Sequence, residues 1–193
     1  EQPVEEKQAS VPLHITRATE ADVDAIVATA IPRGPAQHQF TPERRRKMRQ
    51  ALVGYFRRGG MCFVAQVGNE IVHSNWIHFR RGGPIMVTAG RHLVLDDKEA
   101  YMTDGFTPEP WRGKGIHPAV NSHMLLYLQK AGYRRAYTFF VSDNVTSWRG
   151  LKRVGWDLRA LLLTLERPDK DSLFWCLRGT SGTWLQKLPG KGE

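Results

Sequence analysis

Cysteine is almost absent from this sequence: Cys62 and Cys176 are the only two in 193 residues, too few for a disulfide framework. No Cys/His cluster has metal-ligand spacing, so a reduced protein without a metal is expected. Long apolar runs are also missing. The longest clean one, Ala160-Leu161-Leu162-Leu163, falls far short of the roughly 20 residues that cross a bilayer. Residues Glu1 to Ser10 are acidic and polar, with no signal-like apolar core, and a cytoplasmic location is the expectation. There are no repeats and no low-complexity blocks. Acid is in short supply, with 19 Asp and Glu against 28 Lys and Arg. The resulting net charge of +9 favours anionic partners (nucleic acid, an acidic membrane or a phosphorylated cofactor) without choosing among them.

What is present is ordinary for a folded domain: 41% hydrophobic and 24% charged residues. The reading is one domain over 11–180, a flexible segment over 1–10 and a loose basic tail over 181–193. Leu13 to Thr16 alternates like a strand, and Thr19 with Asp22 marks the start of a helix over about 20–30. Thr41-Pro42-Glu43 opens a second helix carrying Met48, Leu52, Tyr55 and Phe56 at helical spacing, which ends at Gly59-Gly60. Met61 to Val67 and Glu70 to Phe79 form a hairpin around Gly68-Asn69. Ile85 to Val87, His92 to Leu95 and Ala100 to Thr107 are further strands. From Gly115 the period changes to that of a helix, closed by Gly132. Ala136 to Val141 reads as a strand buried on both faces, followed by a short helix from about Thr146 to Val154. Trp156 to Glu166 and Ser172 to Leu177 read as a last hairpin around Pro168-Asp169. The order implies a mixed α/β fold whose central sheet is mostly antiparallel.

The segment that carries chemistry is Trp111-Arg112-Gly113-Lys114-Gly115-Ile116, directly after a strand and directly before a helix. Such a turn presents unpaired backbone N–H groups and the positive end of a helix dipole, to which a pyrophosphate can dock. A dinucleotide fingerprint requires three spaced glycines and a later acid, and a Walker loop requires Gly-Lys-Ser/Thr; neither is met. About 30 residues on, Asn144-Val145-Thr146-Ser147 opens the short helix that closes at Val154-Gly155-Trp156.

Together these residues resemble the GNAT superfamily of N-acetyltransferases, in which Arg/Gln-x-x-Gly-x-Gly/Ala opens one helix and Asn-x-x-Ser another that leads to a Gly-aromatic pair. Arg17-Ala18-Thr19-Glu20-Ala21-Asp22 is similar to the family's first strand-to-helix junction, and the element order fits from about 13 to 178. The resemblance implies central strands that splay apart and an acyl-CoA co-substrate, acetyl-CoA above all, with no metal. It implies that the backbone of Gly105, Phe106 and Thr107 holds the pantetheine arm and the thioester. Arg112, Gly113, Lys114, Gly115, Ile116 and His117 would hold the pyrophosphate. Asn144 would reach the pantetheine end, with Ser147 capping the last helix nearby. Two departures stand out. His117 occupies the motif's final Gly/Ala position and is followed by Pro118, which has no N–H, and Leu151 stands where many members carry an acid tyrosine.

Transfer to an amine needs a base or water chain to take the nitrogen's proton, and the carboxylates on or just before the strand, Asp104 and Glu99, are the candidates. For each, the plainer alternative is a solvent-facing strand charge. The expected function is acetyl transfer to a primary amine of a small molecule or protein, by a monomer or homodimer without membrane or nucleic-acid partners. An acyl-carrier protein is a further donor that the basic surface could attract. The competing expectations are a non-catalytic acyl-CoA sensor of the same fold and, on charge alone, a nucleic-acid binder with no recognised motif. The basic run Arg44, Arg45, Arg46, Lys47, Arg49, Arg57 and Arg58 reads most simply as a solvated helix face.

Overall fold

The computed structural model of the chain describes residues 4–30, 40–83, 85–88, 91–167, 170–178 and 185–187. Strand β1 (His14–Arg17) leads through a 3-10 turn, Glu20–Asp22, into α1 (Val23–Thr29). The Asp22 carboxylate accepts the Thr19 amide at 2.7 Å and the Thr19 hydroxyl at 2.9 Å, which fixes this start. Helix α2 (Pro42–Arg57) is capped by the Thr41 hydroxyl, which accepts the Arg44 amide, and has proline in its first turn. There follow β2 (Met61–Val67), β3 (Glu70–Phe79), β4 (Ile85–Thr88), β5 (Arg91–Leu93) and β6 (Glu99–Phe106). The chain continues through α3 (Ile116–Lys130), β7 (Arg135–Tyr137), α4 (Val145–Arg153), β8 (Leu161–Arg167), β9 (Lys170–Arg178) and β10 (Leu185–Lys187).

The main sheet has the order β1-β2-β3-β6-β7, antiparallel throughout except for the β6–β7 pair, which α3 joins in parallel. One face packs on α3, where Phe63, Ile77, Met102, Ile116, Val120 and Met124 are buried together. The other packs on α1 and α2 around Val23, Ile26, Leu52, Cys62, Val64 and Trp76. Helices cover both faces, so the interior strands need no polar side: β3 is buried from Ile71 to Phe79.

Three expectations change. The strand over Ala136 to Val141 shrinks to Arg135–Tyr137, and Val141 is 70% exposed. The apolar run is there, but its pairing with β6 ends at Tyr101↔Tyr137. The segment before β1 is not loose. It runs along α3, with the Lys7 amide donating to the Ser122 hydroxyl at 2.9 Å and the Ser10 amide to the Lys114 carbonyl at 2.9 Å. The tail contains β10, antiparallel to β5 in a small sheet ordered β10-β5-β4. β8 and β9 form the expected hairpin, though β8 starts five residues later than Trp156, and the Pro168-Asp169 turn lies outside the described residues.

Candidate acyl-CoA and amine site

The site begins where the sheet comes apart. β6 and β7 pair at Glu99↔Arg135, Ala100↔Ala136 and Tyr101↔Tyr137 and then stop, while β6 runs on to Phe106. On its other edge β6 carries a bulge: Ser74 faces Phe106 and Trp76 faces Thr103, so Asp104 and Gly105 together oppose Asn75. Asp104 takes φ 54°, the only non-glycine residue with positive φ among those described. The bulge turns two neighbouring residues to opposite faces, and each finds a different environment.

Towards α3, a Cβ on Gly105 would lie 3.1 Å from Asn75 Nδ2 and 3.6 Å from His117 Nε2. The His117 ring fills the space between strand and helix, since a Cβ on Gly150 of α4 would meet its Nδ1 at 3.4 Å. It also stacks on His73, with centroids 5.6 Å apart. His73 is wholly buried; its Nδ1 is 2.7 Å from the Thr107 hydroxyl and its Nε2 has no partner among the described residues. Burial holds both rings below the usual histidine range, with His117 adding to the effect at His73, so both are neutral near pH 7. The expected phosphate donor at position 117 is therefore only a main-chain amide, because the ring is turned into the sheet.

The turn after β6 is shaped by glycines that adopt left-handed backbone, Gly113 at φ 76° and Gly115 at φ 73°. Gly115 is the N-cap of α3 and has no side chain to cap with, so the amides of Ile116 and His117 have no acceptor within the helix. Arg112 is tethered by its Nε to the Thr107 carbonyl at 3.1 Å, and Lys114 Nζ stands 6.0 Å over the Trp111 ring. Unpaired amides, a helix dipole and two cations thus meet at the open end of β6. On the α1 side of the same strand end a cleft of about 570 Å³ opens between Thr29, Glu70, Phe106 and Arg112.

On α4, Asn144 is itself the cap, the task expected of Ser147: its Oδ1 accepts the Ser147 amide at 3.1 Å. Leu151 is buried at 4% exposure, so the position of the missing tyrosine belongs to the core. Gly105, His117 and Gly150 are thus brought together by β6, α3 and α4, with Asn144 and Ser147 at the start of that last helix. Glu99 is not among them. It is 4% exposed and fully engaged: Oε1 accepts Arg135 Nε and the Tyr137 hydroxyl, both at 3.0 Å, and Oε2 accepts the Asp96 amide at 3.0 Å. Five residues of strand put it about 17 Å from Asp104. Its role is to tie β7 to β6 where the pairing begins, which removes it as a base.

Towards α2, the Asp104 carboxylate is exposed and meets Tyr55. The phenol is pushed up to about 12, first by burial and then by the charge and hydrogen bonding of Asp104. Below lies a nest of rings: Tyr55 is edge-on to Trp76 at 5.1 Å and to His78 at 4.6 Å, and His78 lies 6.3 Å from Tyr101. Cys62, in the same region, is raised to about 12 by burial and is no nucleophile. Sequence reading missed Tyr55 and the histidine pair. Asp104-Gly105 inside a strand was the available signal for a bulge. Nothing in the spacing places a residue 49 positions earlier beside it.

Among the described residues no group of three or more His, Cys, Asp and Glu could hold a metal ion, and no helix is long and apolar enough to cross a membrane. No protein-family model and no curated protein matches the sequence. Solved structures do match. An N-acetyltransferase from Staphylococcus aureus Mu50 superposes with a TM-score of 0.57 at 16% identity, over 84% of this chain and 94% of that one. A predicted acetyltransferase from Clostridium acetobutylicum, solved with acetyl-CoA, gives 0.51 at 12% identity, over 76% and 90%. A transcriptional regulator from Bacillus halodurans C-125 gives 0.55 at 17% identity, over 76% and 93%. At these identities the likeness is one of architecture, and the chain has the GNAT acetyltransferase fold.

Proposed function

We propose that this chain transfers an acetyl group from acetyl-CoA to a primary amine, by direct attack within a ternary complex. The observation that carries the reading is the parting of β6 and β7 after Tyr101 and Tyr137, opposite an α3 N-terminus with unpaired amides. The thioester supplies an activated acyl group when bound. In this reading Gly113 to His117 cradle the pyrophosphate through main-chain N–H groups, with Arg112 and Lys114 adding charge. The freed edge of β6 at Gly105, Phe106 and Thr107 pairs with the pantetheine amides, and a Cβ at Gly105 would crowd Asn75. Asn144 orients α4 beside the same slot.

Asp104 stands on the opposite face at the same bulge, which suits a group that meets the amine rather than the donor. It takes the proton of the incoming ammonium, directly or through water. The nitrogen bonds to the carbonyl carbon as the carbon–sulfur bond breaks. Sulfur leaves with the bonding pair and takes a proton from water, since Leu151 offers none. Acetylated amine, free thiol and one released proton balance an acetyl thioester and an ammonium.

A second reading, an acyl-CoA sensor without turnover, is favoured by Leu151 and by the regulator with the same architecture. Thiol release from acetyl-CoA against a panel of primary amines separates the two. The transferase reading expects release that depends on amine and is lost in Asp104→Asn. Tight acetyl-CoA binding with no release on any amine would establish the sensor instead.

A further inference from the structure

The α2 face of the bulge holds two opposite charges that do not neutralise each other. Asp104 is exposed, sits in a backbone conformation that non-glycine residues rarely adopt, and has no ion-pair partner among the described residues. Arg58, just past the end of α2, lays its guanidinium over the Tyr55 ring with Cζ 5.5 Å from the centroid. It too has no carboxylate partner among the described residues. Tyr55 therefore lies between an anion at its hydroxyl and a cation over its face. The two charges stand roughly 8 Å apart, about one ring and one hydrogen bond.

We propose that the acceptor is a small amine that also carries an anionic group, carboxylate or phosphate, its ammonium at Asp104 and its anion on Arg58, with the intervening chain laid along Tyr55. Tyr55, half-buried and held edge-on by Trp76 and His78, is a fixed platform and costs little ordering on binding. Arg58 can meet a carboxylate or phosphate through two parallel N–H donors. The titrations of Tyr55 and His78 each respond to both Asp104 and Arg58, as groups lying between them would.

The proposal rests on the transferase reading, and the test separates the two. Thiol release from acetyl-CoA is measured with 4-aminobutyrate against n-butylamine, and with 2-aminoethyl phosphate against ethylamine. The anionic member of at least one pair is expected to be favoured by about tenfold or more in kcat/KM, the worth of one charge-assisted pair. The pair with the larger ratio identifies carboxylate or phosphate. Arg58→Gln is expected to collapse that ratio towards one, and Arg45→Gln, on the exposed face of α2, to preserve it. Use of n-butylamine and ethylamine equal to that of their anionic counterparts by the unmodified protein, or a ratio that survives Arg58→Gln, overturns this inference and leaves acetyl transfer standing. Absence of release with any amine overturns both.

Discussion

Asp104 and Glu99 show how two carboxylates on one strand come to different surroundings. Glu99 is buried with three donors on its two oxygens, and each bond it makes holds the β6–β7 junction. Asp104 is exposed, backbone-strained and beside a phenol, the arrangement in which strain concentrates at a working site. Asp104→Asn is expected to lower kcat by about 100-fold or more with an unchanged melting temperature, the usual contribution of a general base. Glu99→Gln is expected to do the reverse, keeping kcat per folded molecule while losing about 1–2 kcal/mol of stability from its bonds. Calorimetric melting and amine-dependent thiol release on the two variants check this; a Glu99→Gln enzyme that melts normally and does not turn over would exchange their roles. His73 supplies a pH signature. Its folded-state titration lies below that of the unfolded chain because the ring is buried, so acidification protonates the unfolded state first. Stability is then present above about pH 6.5 and drains as pH falls towards the folded-state value, by up to about 2 kcal/mol between pH 6.5 and 5. His73→Asn should make that limb shallower in urea midpoints measured across this range, the remainder coming from His117 and His78, which burial also holds low. An equally steep limb in the variant would mean the ring is not held neutral.

At the scale of elements, the turn into α3 carries the most weight. Gly115 has left-handed backbone at φ 73°, and an added Cβ would make only ordinary contact with the Gln8 carbonyl at 3.4 Å and Ala9 Cα at 3.5 Å, so the backbone sets the cost. Gly115→Ala is therefore expected to lose about 1–2 kcal/mol and to weaken acetyl-CoA binding. Gly113, at φ 76° with nothing within 4 Å of its added Cβ, carries the same backbone cost, so Gly113→Ala should lose a similar amount. Thermal melts of the pair with and without acetyl-CoA check this. This turn was legible because a helix start after a glycine-rich turn is a local property. β2 and β3 were also legible as strand-like runs joined by the Gly68-Asn69 turn, to the residue. β7 was not: Ala136 to Val141 has the composition of a buried strand, yet its ladder with β6 stops at Tyr137, a long-range property that composition does not carry. β10 was misjudged for a similar reason, because a Gly- and Lys-rich tail gives no sign of the β5 edge that pairs with it.

Across the whole molecule, the layers decide what the site can be. Helices α1 and α2 on one face and α3 on the other leave the seam between β6 and β7 as the place where both faces are reached at once. Element order and the two short motifs together pointed to this layout, and it is the layout of the acetyltransferases that superpose on the chain. Of the proposed acceptor side only Asp104 was legible in sequence, since Tyr55, Arg58 and His78 come from α2, its C-cap and β3 and meet it only in the folded chain. The net charge of +9 acts on every anionic ligand alike. Affinity for acetyl-CoA, with its phosphates, should fall steadily as salt rises from 50 to about 500 mM, through screening of Arg112, Lys114 and the wider positive field. A salt-independent affinity would show that the phosphates lie outside that field.

Titration calorimetry with acetyl-CoA on the unmodified protein, Gly113→Pro and Gly115→Asp tests the central claim most directly. Proline cannot adopt the φ of 76° that Gly113 requires, and aspartate sets a negative charge at the N-cap, beside the proposed pyrophosphate. The account predicts measurable binding by the unmodified protein and at least about tenfold weaker binding by both variants, in samples whose circular dichroism remains native. Unchanged affinity in the folded variants would contradict it, because the pyrophosphate would then be held somewhere other than the amides that open α3.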